Sequence, residues 1–352
     1  MVGWPDRRFS DLIGTEQPII QAPMAGAGGV ELCAAAALGG ALGSLPCALL
    51  SPDEVRAQAA EVRASAAEPI NLNFFCHAMP EAADDRAWRE LLQPYYDEYE
   101  AQPGTGGPLR LPFDEAMCAV VEEIKPGVVS FHFGLPESRL LDRVKAAGAV
   151  VLSSATTVEE ARWLESRGAD AIIAQGFEAG GHTARFLGSD PAEALGLFAL
   201  VPQVADAVRV PVIAAGGIGD GRGIAAAFML GASAVQLGTA YLHTAEARIS
   251  SVHRARLQEG RTLFTNLLTG GLARGIRGRL IDQLGPVRTE PPPYPLASEA
   301  LAPIRAAAQQ EGEYGFGPMW CGQAGPLGQA LPAAELTRKL AADALAILDC
   351  DA

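Results

Sequence analysis

The stretch 211-PVIAAGGIGDGRG-223, followed by 234-AVQLGTAYL-242, decides how this chain folds. Each segment opens as a short apolar run, reaches glycine, and leads at once towards a helical pattern. Runs this apolar on both faces suit parallel strands covered from either side. Working outward, the same unit recurs in 18-PIIQAPM-24, 40-GALGSL-45, 70-INLNFFC-76, 128-VVSFHFG-134, 150-VVLSSAT-156 and 170-DAIIAQG-176. Between the runs lie 52-PDEVRAQAAEVRAS-65, 136-PESRLLDRVKAAG-148 and 157-TVEEARWLESRG-168. They carry Ser, Thr or Pro starts and early acids, and several stop at Gly, as helix ends require. Eight βα units in series predict an α/β fold, a TIM (β/α)8 barrel, in preference to a doubly wound sheet.

Two segments break the rhythm. Residues 77–113 include 94-PYYDEYEAQPGTGGP-108, too polar and too rich in Gly and Pro for a plain βα loop, and read as an excursion over the barrel mouth. From about 245 to 330 the strand signal vanishes, and the Arg-rich 253-HRARLQEGR-261 leads through 291-PPPYP-295 to 314-YGFGPMWCGQAGPLG-328. The expected organisation is a barrel over 1–245, a smaller, mainly helical second lobe over 246–330, and a C-terminal helix within 331–352 that completes the barrel.

Composition narrows the function. Of 352 residues, 49% are hydrophobic, enough for a large core, and disorder is excluded as the dominant state. With 27 basic against 41 acidic residues the formal charge is −14, so nucleic acid is not an expected partner. No apolar run reaches the ~20 residues of a membrane span, and 1-MVGWPDRRFSDLIG-14 lacks the apolar core of a signal peptide. Six scattered cysteines without a CxxC pair read as reduced core thiols. A cytoplasmic location is expected, no metal site is, and the oligomeric state stays open to self-association.

In a TIM barrel chemistry sits at the C-terminal ends of the strands, and phosphate is often held after the last two. Gly216 and Gly217 end the seventh run, where a following helix N-terminus would add positive potential. Gln236, Gly238 and Thr239 stand at the eighth. Two such loops at the two expected strands point to a phosphate-bearing ligand. The sixth run ends with Gln175, Glu178, Gly180, Gly181 and His182 crowded together. At the first, Pro23 and Met24 could form a bed beside a flat ring, although Met alone reads as core. Of Asn71 and Asn73 on the third run, one is expected to face the barrel axis and to need a polar partner there.

None of the five histidines has metal-ligand spacing. His132 lies in 130-SFHFG-134, just before the C-terminal end of the fourth run. Alternation turns Phe131 and Phe133 towards the helices and His132 inward. Neutral imidazole so placed can take a proton from an acidic carbon.

Together QAPMAG, SFHFG, QGFEAGGH, AAGGIG and QLGTAYL resemble the nitronate monooxygenase family, formerly called 2-nitropropane dioxygenases, and most closely its class I members. The resemblance runs from about 17 to 245 and is weak beyond. It implies a TIM barrel with FMN at its mouth and a second lobe covering the site. It further implies that Pro23 and Met24 lie near the flavin, that Asn73, Gln175 and Gly180 bind it, and that Gly217 and the Gln236–Thr239 loop hold its phosphate. Gly181 and Gly216 join the cofactor set as neighbours in these motifs, and His182 is the candidate substrate contact. His132 occupies the position of the family's catalytic base. After EAGGH the chain reads Thr183-Ala184-Arg185, where the family commonly has Arg-Gly.

The activity so implied is FMN-dependent oxidation of alkyl nitronates by dioxygen to carbonyl compounds and nitrite, with neutral nitroalkanes as further substrates. QAPM, EAGGH and AAGGI are shared with NAD(P)H-dependent flavin reductases of enoyl thioesters or quinones, which generally lack the histidine of SFHFG. That reductase is the alternative enzyme, and a flavin- or phosphate-binding barrel is the non-catalytic one. No GxGxxG opens a βαβ unit as FAD binding usually needs, which favours FMN.

Overall fold

The structure is a computed structural model that describes residues 3–66, 69–81, 84–104, 109–188 and 190–349. Parts of the quoted segments, 105–108 in the excursion and 350–352 with Cys350 at the C-terminus, lie outside the described residues. The strands are β1 (Ile19–Gln21), β2 (Gly43–Pro46), β3 (Ile70–Phe75), β4 (Val128–His132), β5 (Val150–Ala155), β6 (Ala171–Gln175), β7 (Gly181–His182), β8 (Val212–Ala215), β9 (Ala234–Leu237), β10 (Thr262–Thr265) and β11 (Ala273–Ile276). Eight of them form one parallel sheet in the order β1-β9-β8-β6-β5-β4-β3-β2. The two ends of that order meet at a parallel bridge between Ile20 and Leu42, giving a nearly closed, TIM-like barrel.

Local sequence accounts for the helices between strands. Ser51 and Glu54 form a reciprocal capping box with Pro52 at the first turn of Pro52–Ser65. The Thr157 side chain accepts from Glu160 N–H at the start of Val158–Ser166. Inside the barrel, Ile20, Leu42, Val128, Leu152, Ile173, Ile213 and Ala234 join Phe9 and Ile13 of the N-terminal helix Arg8–Ile13 in one apolar cluster. Leu72, Phe74, Val129 and Phe131 belong to the layer packed under the helices. Helix Ala333–Leu348 returns to pack on helices Gly221–Met229 and Val30–Leu38. The hydroxyls of Tyr241 and Thr337 meet at 2.7 Å beneath it.

Above the apolar layer the interior turns polar. Asn71 Nδ2 donates to Ser44 Oγ at 2.9 Å, and Asn73 Nδ2 to Ser130 Oγ at 2.9 Å. Both asparagines face inward, contrary to the expectation that only one would, because residues two apart on a strand share a face. The eighth run is also shorter as a strand than expected: β9 stops at Leu237, and Thr239–Leu242 is a helical turn.

Residues 246–330 do not lack strands. β10 and β11 form an antiparallel hairpin, and β11 pairs in turn with β7 after the sixth barrel strand. Helix Arg86–Glu98 of the 77–113 excursion packs on helix Ala297–Gln310. Trp88, Leu92, Tyr95, Tyr96, Leu267, Leu280, Ile304 and Phe316 form an apolar cluster distinct from those of the barrel. The Trp88 indole N–H donates to Ala297 O at 3.1 Å across it.

Candidate active site

The C-terminal ends of the barrel strands surround a cavity of about 530 Å³, within the range of small-molecule and cofactor sites. Pro23, Met24, Asn73, His132, Gln175, Gly180, Gly181, His182, Gly216, Gly217, Gln236, Gly238 and Thr239 all line it. The barrel thus brings together side chains spread over more than two hundred residues of sequence. Among the described residues no cluster of three or more His, Cys, Asp or Glu could hold a metal ion.

Several of the glycines are there for reasons of space. A Cβ on Gly180 would fall 2.5 Å from Gly322 N and 2.6 Å from Cys321 C, so the backbone after β6 passes directly against segment 321–322. Gly216 and Gly217 adopt φ of 114° and 68°, conformations that glycine takes at little cost. The helix that follows does not offer an open N-terminus, contrary to the sequence expectation. The Asp220 carboxylate already accepts from Arg222 N–H and Gly223 N–H. What the two loops retain is glycine backbone without Cβ and the Thr239 hydroxyl, which accepts from Gly322 N–H at 2.9 Å and keeps its own proton to donate.

Gln175 is held at the end of β6: its Oε1 accepts from Ala184 N–H at 2.7 Å and its Nε2 donates to His182 O at 3.1 Å. His132 Nε2 also lies 3.3 Å from that carbonyl. A carbonyl can only accept, so Nε2 carries the proton and the lone pair is left on Nδ1. Burial pushes the His132 pKa down to about 4, opposed by the His182 carbonyl and assisted by the repulsion of His77. His132 is therefore neutral at pH 7. His182 is held well below its ordinary value by burial and by the neighbouring Arg110, and its ring hydrogen-bonds Thr269 Oγ1 at 2.8 Å.

Phe133 departs from the expected alternation. It takes φ of 67°, leaves the strand, and joins an aromatic cluster at the mouth instead of facing the helices. Its ring meets His132 at 4.4 Å, Tyr294 at 5.4 Å and His182 at 6.3 Å between centroids.

Fit to a flavin can be judged from the donor set. Gln236 Oε1 is buried without a partner among the described residues, a polar atom that a ligand donor would satisfy. Sequence reasoning missed Phe75, Arg110, Tyr294, Arg305, Tyr314 and Trp320, which line the cavity or pack on its rings. Their segments carry no motif, and an arginine on an Ala-rich helix reads as a solvated face.

The nitronate monooxygenase family profile matches residues 6–343. The chain belongs to the nitronate monooxygenase family. The match passes well beyond residue 245, so membership covers the region in which the sequence resemblance was expected to fade. Nitronate monooxygenase of Paraburkholderia phytofirmans is 44% identical over 95% of this chain and 94% of its own. That of Pseudomonas aeruginosa is 41% identical over 95% and 97%. The solved structure of nitroalkane oxidase from Streptomyces ansochromogenes superposes with a TM-score of 0.90 at 36% identity, covering 97% of this chain and 99% of that one. FabK from Thermotoga maritima follows at 0.74 and 28%, covering 99% and 98%. The chain is thus a nitronate monooxygenase enzyme of a flavin-dependent family. Among the described residues no helix is long and apolar enough to cross a membrane.

Proposed function

We propose that the cavity holds FMN and that the enzyme oxidises alkyl nitronates with dioxygen to carbonyl compounds and nitrite, accepting neutral nitroalkanes as well. The observation that carries this reading is His132: an imidazole kept neutral at the strand end, lining a cavity into which glycine backbone and the amides of Asn73, Gln175 and Gln236 also face. Pro23, Met24, Asn73, Gln175, Gly180 and Gly181 would hold the ring system, and Gly216, Gly217, Gln236, Gly238 and Thr239 the phosphate end. Bound there, the flavin supplies the electron and oxygen chemistry that no side chain can. The chain's own residues do the rest. A preformed nitronate is already a carbanion equivalent and needs no base. A neutral nitroalkane must lose its α-proton, and His132 Nδ1 takes it while the His182 carbonyl fixes the ring. His182, beside it, contacts the substrate.

Residues 246–330 act in this reading as a cover, mainly helical with one hairpin, over a barrel of 1–245 completed by the C-terminal helix. It limits water at the reacting atoms. The acidic balance and the free thiols of Cys47, Cys76, Cys118 and Cys321 suit a cytoplasmic enzyme whose partners are a small nitronate and dioxygen. The test is anaerobic mixing of purified protein, its released cofactor first identified as FMN. Nitronate is expected to bleach the flavin, and NADH and NADPH to leave it oxidised. Rapid bleaching by either nicotinamide would assign the chain to the reductase chemistry instead. A protein without flavin, and without affinity for FMN, would remove both.

A further inference from the structure

Behind one wall of the active-site cavity lies a second void. It measures about 370 Å³, and Val252, Arg256, Arg277, Arg279, Asp282 and Glu313 are among the residues around it. Its arginines are already neutralised: Arg256 pairs with Glu259, Arg277 with Asp282 and Arg279 with Glu98. This outer pocket is space, not an anion site. Among the described residues, Tyr314 and Met319 alone line both voids. Helix Ser251–Arg256 divides in the same way, with His253 on the cavity side and Val252 and Arg256 on the other. The wall between the two is one side chain thick.

The two halves of that wall are held differently. Met319 is 4% exposed, its carbonyl accepts from Ile276 N–H at 2.9 Å, and the next residue, Trp320, bridges to Gly275 of β11. The backbone after Tyr314 is fixed as well. Leu280 N–H donates to Gly315 O at 3.2 Å, and Phe316 is fully buried, its ring 5.1 and 5.4 Å from those of Tyr95 and Tyr99. The Tyr314 side chain is not held. Of the six tyrosines, Tyr96, Tyr99 and Tyr241 hydrogen-bond through their hydroxyls, while Tyr95 and Tyr294 pack on other rings. Tyr314, half-buried, does neither among the described residues. An aromatic side chain with no partner of its own, standing between two voids, is explained by what it keeps apart.

The wall also lies in the direction a substrate tail would take. His132 Nε2 meets the His182 carbonyl, the His182 ring meets Trp320 at 5.4 Å, and Trp320 follows Met319 in the chain. We propose that Tyr314 sets the length of substrate the enzyme accepts: its ring closes the cavity against the outer pocket, so a nitronate reacting at His132 fits only while its tail stops short of that ring. The inference rests on the nitronate reading above and deepens it by naming the residue that limits chain length. A hydrophobic wall discriminates by size, one methylene being worth about 10–200-fold in kcat/KM. Without the ring the two voids join, and a longer tail runs on along Met319, Val252 and the apolar stems of the paired arginines.

The experiment measures kcat/KM by oxygen uptake, using holoenzyme and preformed straight-chain nitronates from ethyl to octyl. In the wild type the value should rise as added methylenes are buried, then fall by at least about tenfold once the tail meets the ring. Tyr314→Ala should move that limit to a longer chain and raise the ratio of long-chain to short-chain kcat/KM by at least about tenfold. Tyr314→Phe should keep the wild-type limit, because the hydroxyl has no partner, and Tyr314→Trp should shorten it. The visible spectrum of each variant reports its flavin content. A wild-type profile that keeps rising through octyl nitronate overturns the proposal, and that profile decides even if a variant fails to fold. Equal proportional loss at every chain length in Tyr314→Ala also overturns it, since the ring would then be only a plug against water. So does folded Tyr314→Ala without flavin, because the ring would then serve the cofactor. Failure of the underlying reading is distinct: the wild type would oxidise no nitronate of any length.

Discussion

Replacing His132 by asparagine separates its role as a base from its role as a wall of the cavity. The magnitude follows from its environment. With the pKa held at about 4 by burial, roughly 97% of His132 is neutral at pH 5.5, whereas an ordinary imidazole of pKa about 6.5 would be only roughly 9% neutral. The wild-type initial rate on a freshly dissolved neutral nitroalkane should therefore change by less than about twofold between pH 7.5 and 5.5, against about tenfold for an unperturbed histidine. Asparagine cannot accept the proton. His132→Asn should lower kcat/KM on the neutral nitroalkane by about 10²–10⁴, the usual worth of a positioned base, and turnover of the preformed nitronate by less than about tenfold. Oxygen consumption measured on both substrates at both pH values is the assay. Equal loss on the two substrates would refute the base role, and a tenfold fall at pH 5.5 in the wild type would refute the burial argument.

Three further outcomes follow from the packing. The buried Glu160 carboxylate accepts from Thr156 N–H and Oγ at 2.7 and 2.8 Å and from Phe186 and Leu187 N–H at 2.8 and 3.2 Å. Glu160→Ala orphans these donors and should cost about 2–4 kcal/mol in urea unfolding; a change below 0.5 kcal/mol, on the order of a surface substitution, would show that the loop re-pairs. Gly180→Ala must push the backbone away from Gly322, and should yield folded protein with reduced flavin content in its visible spectrum; full flavin occupancy would contradict the close approach. His253 is 6% exposed and held at about 4 by burial. Its folded pKa lies below the unfolded one, so the unfolded chain takes up the proton first as pH falls, and stability drops between about pH 6.5 and 4. The unfolding temperature should fall from pH 7 to pH 5 in the wild type and less steeply in His253→Gln; parallel slopes would show that His253 does not drive the loss.

The eight barrel strands are legible because parallel strands buried on both faces leave continuous apolar runs, and the helices because Ser51, Thr157 and their acids announce their own starts. The hairpin is not. Thr262–Thr265 and Ala273–Ile276 are four residues each, and the second carries Arg274 at its centre. No sequence pattern predicts that Arg274 can be buried there. It is, because its guanidinium lies 4.5 Å over the Phe177 ring and 4.1 Å over Phe264 while donating to Phe177 O. Strand-end residues of the cavity can be named from position and residue type alone. Arg110, Tyr294 and Arg305 cannot, since their meaning depends on which partners they lack in space. Phe133 escapes the pattern for a related reason: strand alternation says nothing about a residue that has turned into the left-handed region.

The cluster that joins helix Arg86–Glu98 to helix Ala297–Gln310 also orders events in time. Trp88 reaches its acceptor on Ala297 across 209 residues of chain. At a synthesis rate of about 5–20 residues per second, on the order of 10–40 s pass before the partner helix exists. Throughout that interval Trp88, Leu92, Tyr95 and Tyr96 have no surface to bury against, and the half-made barrel lies open on the side of its mouth. A nascent chain of this design is exposed to chaperones and to self-association at helix Arg86–Glu98 until that partner is made. The residues between 305 and 324 that line the cavity are made later still.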